Sequence, residues 1–167
     1  SRPAGFNNHQ SWLCLEMERA WWLITTAVRE QDGLAAVRAE VHAEIKQGGK
    51  ALSERQRELT SWQQSDVVPP VAGLFFGCAC IAFCRRLPFF STAPRFLVLA
   101  PAIPCYVMAY QVSYHAREAE YLIEMMREDR QKFAKRLRAK FEVASKDVAS
   151  SKILQDLESG GDIAEME

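Results

Sequence analysis

Two long stretches without charged side chains constrain this sequence more than any other feature. No Asp, Glu, Lys or Arg occurs from Val67 to Cys84 or from Phe96 to Tyr114, which are runs of 18 and 19 residues. At a helical rise of about 1.5 Å per residue, each run is roughly 27–29 Å long, close to the thickness of a bilayer's hydrocarbon core. The sequence therefore predicts an all-α membrane protein with spans at about 67–84 and 96–114. The alternative is a pair of buried helices in a soluble core.

A basic spacer at residues 85–95 separates the two runs. It contains Arg85, Arg86 and Arg95, no acid, and two prolines that favour a turn. An arginine at mid-membrane costs roughly 2.5–3.5 kcal/mol on insertion scales, so the three arginines are expected at an interface, against lipid or another subunit. The prediction is a transmembrane hairpin over residues 67–114, with both termini on the same side.

Small residues in the first run and prolines in the second bear on helix packing. Gly73 and Gly77 form a G-x-x-x-G motif, which admits a neighbouring helix closely, and a larger membrane subunit is the expected neighbour. Small residues are also common in membrane helices without any such role, and both interpretations stay open. Pro101 and Pro104 each remove a backbone hydrogen bond from the second run, so a kink is predicted there.

Residues 1–66 are predicted to form amphipathic helices outside the bilayer. Trp12, Trp21 and Trp22 fall in a predicted helix over 11–31, either as interfacial anchors or in a contact with another subunit. In a second helix apolar residues recur at helical steps, and the sequence offers no soluble core to cover them. A partner is therefore expected over the stripe formed by Leu34, Val37, Val41 and Ile45.

Residues 115–167 are predicted to form one long charged helix with a loose acidic tail. Neither Gly nor Pro occurs from Gln111 to about Glu158, and apolar residues recur there at heptad-like steps. A belt of bases on this helix contacts anionic lipid or an acidic subunit, or else forms a solvated face of mixed charge. The belt consists of Arg127, Arg130, Lys132, Lys135, Arg136, Arg138 and Lys140.

The sequence contains no arrangement that points to catalysis, and no catalytic, cofactor-binding or metal-binding residue is predicted. The five cysteines and three histidines lack metal-ligand spacing, and phosphate-loop, dinucleotide and nucleophile-elbow motifs are missing. Neither run contains an acid or a base, which argues against a transporter or a proton-conducting subunit. A stand-alone channel is a less favoured alternative, because the spacer has no Asp or Glu to form an acidic pore motif. A net charge of zero without a sustained basic face argues against nucleic-acid binding. Bound phospholipid is compatible with the sequence, and no small-molecule substrate is expected.

The spacer and the residues around the second run carry a resemblance to a known family. The relevant residues are Arg85-Arg86-Leu87-Pro88, Ser91-Thr92-Ala93, Arg95, Tyr106, Tyr110, Tyr114, Arg117-Glu118 and Arg127-Glu128-Asp129-Arg130. Over roughly residues 70–135 this arrangement resembles the small two-span accessory subunit of mitochondrial complex I. The resemblance implies a non-catalytic, supernumerary subunit integral to the mitochondrial inner membrane, with other membrane subunits and lipids as partners. Ser1 followed by Arg2 suits either an imported, processed chain or a fragment.

A membrane subunit of mitochondrial ATP synthase is the alternative. The peripheral-stalk subunit of that enzyme resembles a membrane hairpin continued by a long charged helix. The helix predicted after Tyr114 is about 45 residues, or roughly 68 Å, which is short for a full stalk.

Overall fold

The structure, a computed structural model, is all-α in the part of the chain that it describes. It describes the backbone of residues 7–88, 94–127, 132–146 and 148–159, and their side chains apart from 7–17, 95, 96 and 98. No strand occurs in these ranges, so the all-α prediction is confirmed. The helices are α1 (Asn7–Arg29), α2 (Gln31–Lys46), α3 (Glu54–Gln64), α4 (Val68–Cys84), α5 (Arg95–Arg127), α6 (Lys132–Ala144), a 3-10 helix (Val148–Ser150) and α7 (Lys152–Glu158).

The chain divides into two compact units. The flanking unit contains residues 1–60 and 118–167, and the central unit contains residues 61–117. Segments on both sides of the central unit therefore belong to one compact unit, although residues 1–66 and 115–167 were predicted as separate segments.

The turn between α2 and α3 combines two glycines with a capping box. Gly48 and Gly49 adopt φ angles of 94° and 63°, and the Gly49 amide donates to the Glu44 carbonyl at 2.9 Å. α3 then begins with a reciprocal pair, because the Gln56 amide donates to Ser53 Oγ and the Ser53 amide donates to Gln56 Oε1, each at 3.0 Å. The interruption predicted at the two glycines is present, and a side-chain cap starts the next helix.

The apolar stripe of α2 is covered by α6 of the same chain. Val37 and Val41 are 0% and 1% exposed, and α2 packs against α6. A Cβ added at Gly33 would lie 2.6 Å from Phe141 Cε2, so α6 approaches α2 more closely than a side chain there would allow. The expectation that a partner subunit covers this stripe is therefore wrong. The buried side chains of α6 are Phe133, Ala134, Leu137 and Phe141.

α5 and α6 are separate helices, and the chain reverses between them. Arg138 Nε on α6 donates to the Met126 carbonyl on α5 at 2.7 Å, whereas twelve residues of unbroken helix would separate these positions by about 18 Å. The prediction of one long helix over Gln111–Glu158 is wrong, because folding back buries the apolar face of α6 on α2 instead of leaving it in water. The predicted acidic tail from residue 160 onward lies outside the described residues.

The central unit is built around α4 and the first part of α5. The Val68 amide donates to Asp66 Oδ1 at 2.9 Å, and two prolines occupy the first turn of α4, where no intrahelical N–H bond is lost. α5 continues as a helix through Pro101 and Pro104, and the kink expected there stays a prediction.

One described segment is long and apolar enough to cross a membrane. It falls within Glu54–Cys84, which contains the first predicted span, and 22% of its most apolar window is buried within the chain. The second predicted span lies in α5, and the described residues give no second segment that meets the same criterion. The side chains at 96 and 98 of that span lie outside the described residues. The two-span hairpin therefore stays a prediction.

Candidate membrane-embedded surface

Gly73 and Gly77 lie where α4 contacts α5. Both are buried, and a Cβ added at Gly73 would lie 2.8 Å from Tyr106 Cε2, which is closer than real Cβ contacts. A Cβ at Gly77 would lie 3.5 Å from Tyr106 Cβ and 3.7 Å from the Ala102 carbonyl oxygen, which are ordinary contacts. The glycines therefore admit a neighbouring helix, and that helix is α5 of the same chain rather than the larger subunit that was expected.

The ring of Tyr106, which contacts Gly73, belongs to a stack of three tyrosines along α5. The ring centroids of Tyr106 and Tyr110 are 6.3 Å apart, and those of Tyr110 and Tyr114 are 6.2 Å apart, with interplanar angles of 16° and 12°. The spacing of four residues places the rings one turn apart on the same helix face. The stack restricts Tyr106, so its ring is not a loose side-chain end that swings away from α4.

The outward-facing side chains of the central unit are apolar and large. Leu74 and Phe75, for example, are 59% and 68% exposed, whereas the residues buried between α4 and α5 are small. A water-soluble helical core has the opposite arrangement, with the large apolar side chains inside. The large apolar residues exposed in this unit are Trp62, Val67, Val68, Val71, Leu74, Phe75, Phe76, Phe83, Leu87, Leu97, Leu99, Ile103, Val107, Met108, Val112 and Tyr114.

An ion pair joins Asp66 to Arg117. Asp66 is the charged residue nearest to the start of the apolar stretch of α4, and Arg117 is the charged residue nearest to the end of the apolar stretch of α5. Arg117 Nε donates to Asp66 Oδ2 at 2.9 Å. Burial raises the pKa of Asp66, but the hydrogen bonds from Arg117 and the Val68 amide, with the charge of Arg117, outweigh it and hold the pKa below its ordinary value of 3.8. Asp66 therefore stays ionised and paired at neutral pH.

This ion pair was not predicted, although the sequence contains a signal for it. Asp66 directly precedes the first uncharged run, and Arg117 is the first charge after the second run. Two antiparallel helices of similar length bring such positions together, and unlike charges there attract. The contact between Tyr106 and Gly73 was also missed, because a G-x-x-x-G motif specifies room for a neighbour and not which residue fills it.

Glutamates of α5 beyond the central unit pair with arginines from three other helices of the flanking unit. The arginines of these pairs are largely exposed, whereas the glutamate side chains are 10–24% exposed, so the pairs orient α1, α2 and α3 against the buried face of α5. The pairs are Arg19–Glu120 at 2.7 Å, Arg38–Glu118, and Arg55–Glu124 at 3.5 Å.

Part of the basic belt is neutralised within the chain. Arg136 Nε lies 2.9 Å from Glu40, and its Nη2 lies 3.1 Å from Glu44. Arg127 pairs with the buried Asp156 of α7 at 3.0 Å. Arg127 therefore helps to dock α7, which accounts for it without the lipid or subunit contact predicted for it.

The other residues predicted at an interface fall into three groups. Those with exposed side chains are Trp21, Arg85, Arg86 and Lys132, whereas Trp22 is partly buried. The side chains of Trp12 and Arg95, and the whole of Arg130, lie outside the described residues.

A small polar cavity of about 190 Å³ lies beside α7 in the flanking unit. Its lining includes Glu30, whose carboxylate accepts from Ser151 Oγ at 2.6 Å and from the Lys152 amide at 2.9 Å. Lys146 pairs with Asp32 at 2.7 Å on the same lining. These charges have partners within the chain, and the Glu30 carboxylate holds the first residues of α7.

Among the side chains that the structure describes, no three His, Cys, Asp or Glu converge as metal ligands. Comparison with protein-family models, with curated proteins and with solved structures finds no match for this chain.

Proposed function

We propose that this chain is a non-catalytic membrane subunit whose central unit crosses a bilayer as a two-helix hairpin, with both termini on the same side. The observation that carries the proposal is the inverted arrangement of the central unit, which has small residues between its helices and large apolar residues outside. The exposure of large apolar side chains such as Leu74 and Phe75 is unfavourable in water and is not unfavourable among lipid tails.

The lengths of the helices support the same proposal. α4 has 17 residues, or roughly 26 Å at the standard rise, and a hydrocarbon core of about 30 Å accommodates it with local adjustment. The uncharged run of α5 is of similar length, and the pair Asp66–Arg117 marks the level at which charges begin again.

The flanking unit supports a role as a subunit rather than as an enzyme. It has its own apolar core and a network of internal ion pairs, and the charged residues that line the cavity beside α7 pair within the chain. A compact domain joined to a membrane hairpin is suited to holding neighbouring proteins in a fixed arrangement. Partner proteins and membrane lipids are therefore the proposed ligands.

The finer assignment that we propose is an accessory subunit of mitochondrial complex I in the inner membrane. It rests on the resemblance of the spacer, the tyrosine row and the charged residues after it. The peripheral-stalk alternative has less support, because the next helix that the structure describes after α5 is α6, which has 13 residues and packs on α2.

The test is native electrophoresis of membranes solubilised in mild detergent, with mass spectrometry of the band that contains this chain. Migration with NADH dehydrogenase subunits is the expected result. Migration with ATP synthase subunits would move the chain to that enzyme and overturn the finer assignment. Recovery of the chain in the supernatant after alkaline carbonate extraction would overturn the membrane proposal itself.

A further inference from the structure

Arg85 and Arg86 are exposed arginines without a partner among the residues that the structure describes. Every other arginine with a described side chain has a carboxylate, carbonyl or hydroxyl partner. No Asp or Glu occurs between Asp66 and Glu118, so neither arginine has an acid among its neighbours in sequence.

The charge of the central unit is concentrated at this point. Residues 61–117 contain four arginines and one acid, and Arg117 pairs with that acid, Asp66. The remaining charge of +3 belongs to Arg85, Arg86 and Arg95, in a chain whose net charge is zero. An excess of positive charge confined to eleven residues attracts anions.

The two guanidinium groups are free to bind an external anion. Backbone amides of Arg85 and Arg86 donate to the Ile81 and Phe83 carbonyls at 3.0 Å, so the end of α4 is closed by the main chain. The arginine side chains are therefore not needed as helix caps. A guanidinium presents several N–H donors in a planar fork, which matches the oxygens of a phosphate.

Exposed apolar side chains lie beside these arginines. Phe83 is 64% exposed and Leu87 is exposed as well. Phe76 lies on the same face of α4 as Phe83, two turns earlier and about 10.5 Å along the axis, and it is also exposed. A ligand that fits this surface carries a negative headgroup at one end and an apolar chain that follows the helix.

We propose that Arg85 and Arg86 bind the phosphate of an anionic glycerophospholipid, whose acyl chain lies along Phe83 and Phe76. The proposal rests on the membrane location under Proposed function and adds to it a lipid class and a site. A phosphate group is shared by lipids and by free inorganic phosphate, and the apolar row on α4 favours the lipid.

The test is native mass spectrometry of the full chain released from nanodiscs that contain equal amounts of phosphatidylglycerol and phosphatidylcholine. The wild type is expected to retain phosphatidylglycerol in preference to phosphatidylcholine. The double variant R85Q/R86Q is expected to lose the preference by roughly tenfold or more, because each base near a membrane surface contributes several-fold to anionic lipid binding. The matched control is K46Q/K50Q, which removes two exposed charges from the flanking unit and leaves the preference unchanged.

Four outcomes would overturn the proposal. Equal retention of both lipids by the wild type would remove the anionic preference, and unchanged retention by R85Q/R86Q would remove these arginines from the site. Displacement of phosphatidylglycerol by excess inorganic phosphate alone would make this a site for soluble phosphate. In native membranes, a protein that cross-links to the wild type but not to R85Q/R86Q, with lipid retention unchanged, would assign the arginines to a protein contact. Each of these results leaves carbonate resistance intact, so failure here is distinguishable from failure of the membrane proposal.

Discussion

At the scale of single residues, Gly73 is the position at which an added side chain would collide with the ring of Tyr106. Its replacement by alanine places a Cβ 2.8 Å from the stacked ring of Tyr106, so we expect G73A to destabilise the central unit by about 1–3 kcal/mol. Thermal unfolding in detergent, followed by circular dichroism, measures the change.

Gly77 provides the matched control for this substitution. G77A gains the same helix propensity, but its Cβ meets neighbours at ordinary distances of 3.5 and 3.7 Å. G77A is therefore expected to be neutral or stabilising. Equal destabilisation by both variants would mean that the contact with Tyr106 is not what limits this position.

Asp66 gives the central unit a predictable dependence on pH. Because its pKa is lowered in the folded chain, the pair with Arg117 contributes stability above about pH 4, and this contribution is lost as the pH falls through the folded pKa. We expect D66N to be less stable than wild type at pH 7, and the difference to shrink below about pH 4. Unfolding curves between pH 7 and pH 2.5 test this.

The exposed pair of Asp32 with Lys146 serves as the control for Asp66. Its side chains are 48% and 86% exposed, and such pairs contribute little. D32N is expected to change the unfolding midpoint only slightly at pH 7. A D66N protein that unfolds like the wild type at neutral pH would contradict a stabilising role for the Asp66–Arg117 pair.

At the scale of secondary-structure elements, α7 depends on a carboxylate from the other end of the chain. Glu30 accepts from Ser151 Oγ and the Lys152 amide, and α7 buries Ile153 and Leu157. We expect E30Q to weaken the docking of α7 by roughly 1–3 kcal/mol, because a buried donor loses its charged acceptor. Hydrogen exchange of the amides at 151–158 is expected to accelerate.

The exposed Glu142 on α6 offers a substitution of the same type outside this contact. E142Q removes one carboxylate from the flanking unit, and the exchange of α7 is expected to stay at the wild-type rate. Acceleration by both variants would indicate a general effect of net charge and not the loss of a specific cap.

The helices show which parts of the fold could be predicted from the sequence. The helical periodicity of α2 and the break at Gly48-Gly49 were predicted correctly because both are local signals. The long C-terminal helix was predicted wrongly because the absence of Gly and Pro permits a helix without requiring it. What separates α5 from α6 is the burial of Phe133 and Phe141 on α2, about a hundred residues away, and no local pattern reports such a contact.

The candidate surface was predictable to a similar degree. The two uncharged runs and the glycine pair could be identified from the sequence, because they are features of local composition and residue spacing. The pairing of Arg127 and Arg136 with acids of the same chain was not, because a row of bases looks alike whether its partners are lipids, water or distant carboxylates. Only tertiary structure distinguishes these cases.

At the scale of the whole molecule, a matched pair of substitutions separates a membrane protein from a soluble one. Leu74 in the central unit and Val143 in the flanking unit are 59% and 88% exposed. In water both positions would accept arginine with little effect. In a bilayer L74R costs about 2.5–3.5 kcal/mol of insertion free energy, while V143R stays neutral.

The measurement is the fraction of each variant that resists alkaline carbonate extraction from membranes. We expect V143R to remain in the membrane pellet and L74R to be depleted from it or degraded. Equal behaviour of the two variants would contradict lipid contact at Leu74 and favour a soluble helical protein.

The fold-back of the C-terminal helices has a consequence for the order of events during synthesis. Glu44 and Arg136 are 92 residues apart in sequence, and Glu30 and Lys152 are 122 apart. At about 5–20 residues per second, a ribosome needs roughly 5–25 s to make the second partner after the first. During that interval the apolar stripe of α2 lacks the helix that covers it, because α6 has not yet been made. Nascent α2 therefore depends on a chaperone or on temporary pairing with another helix, and a truncation before residue 132 is expected to make it a target for proteolysis.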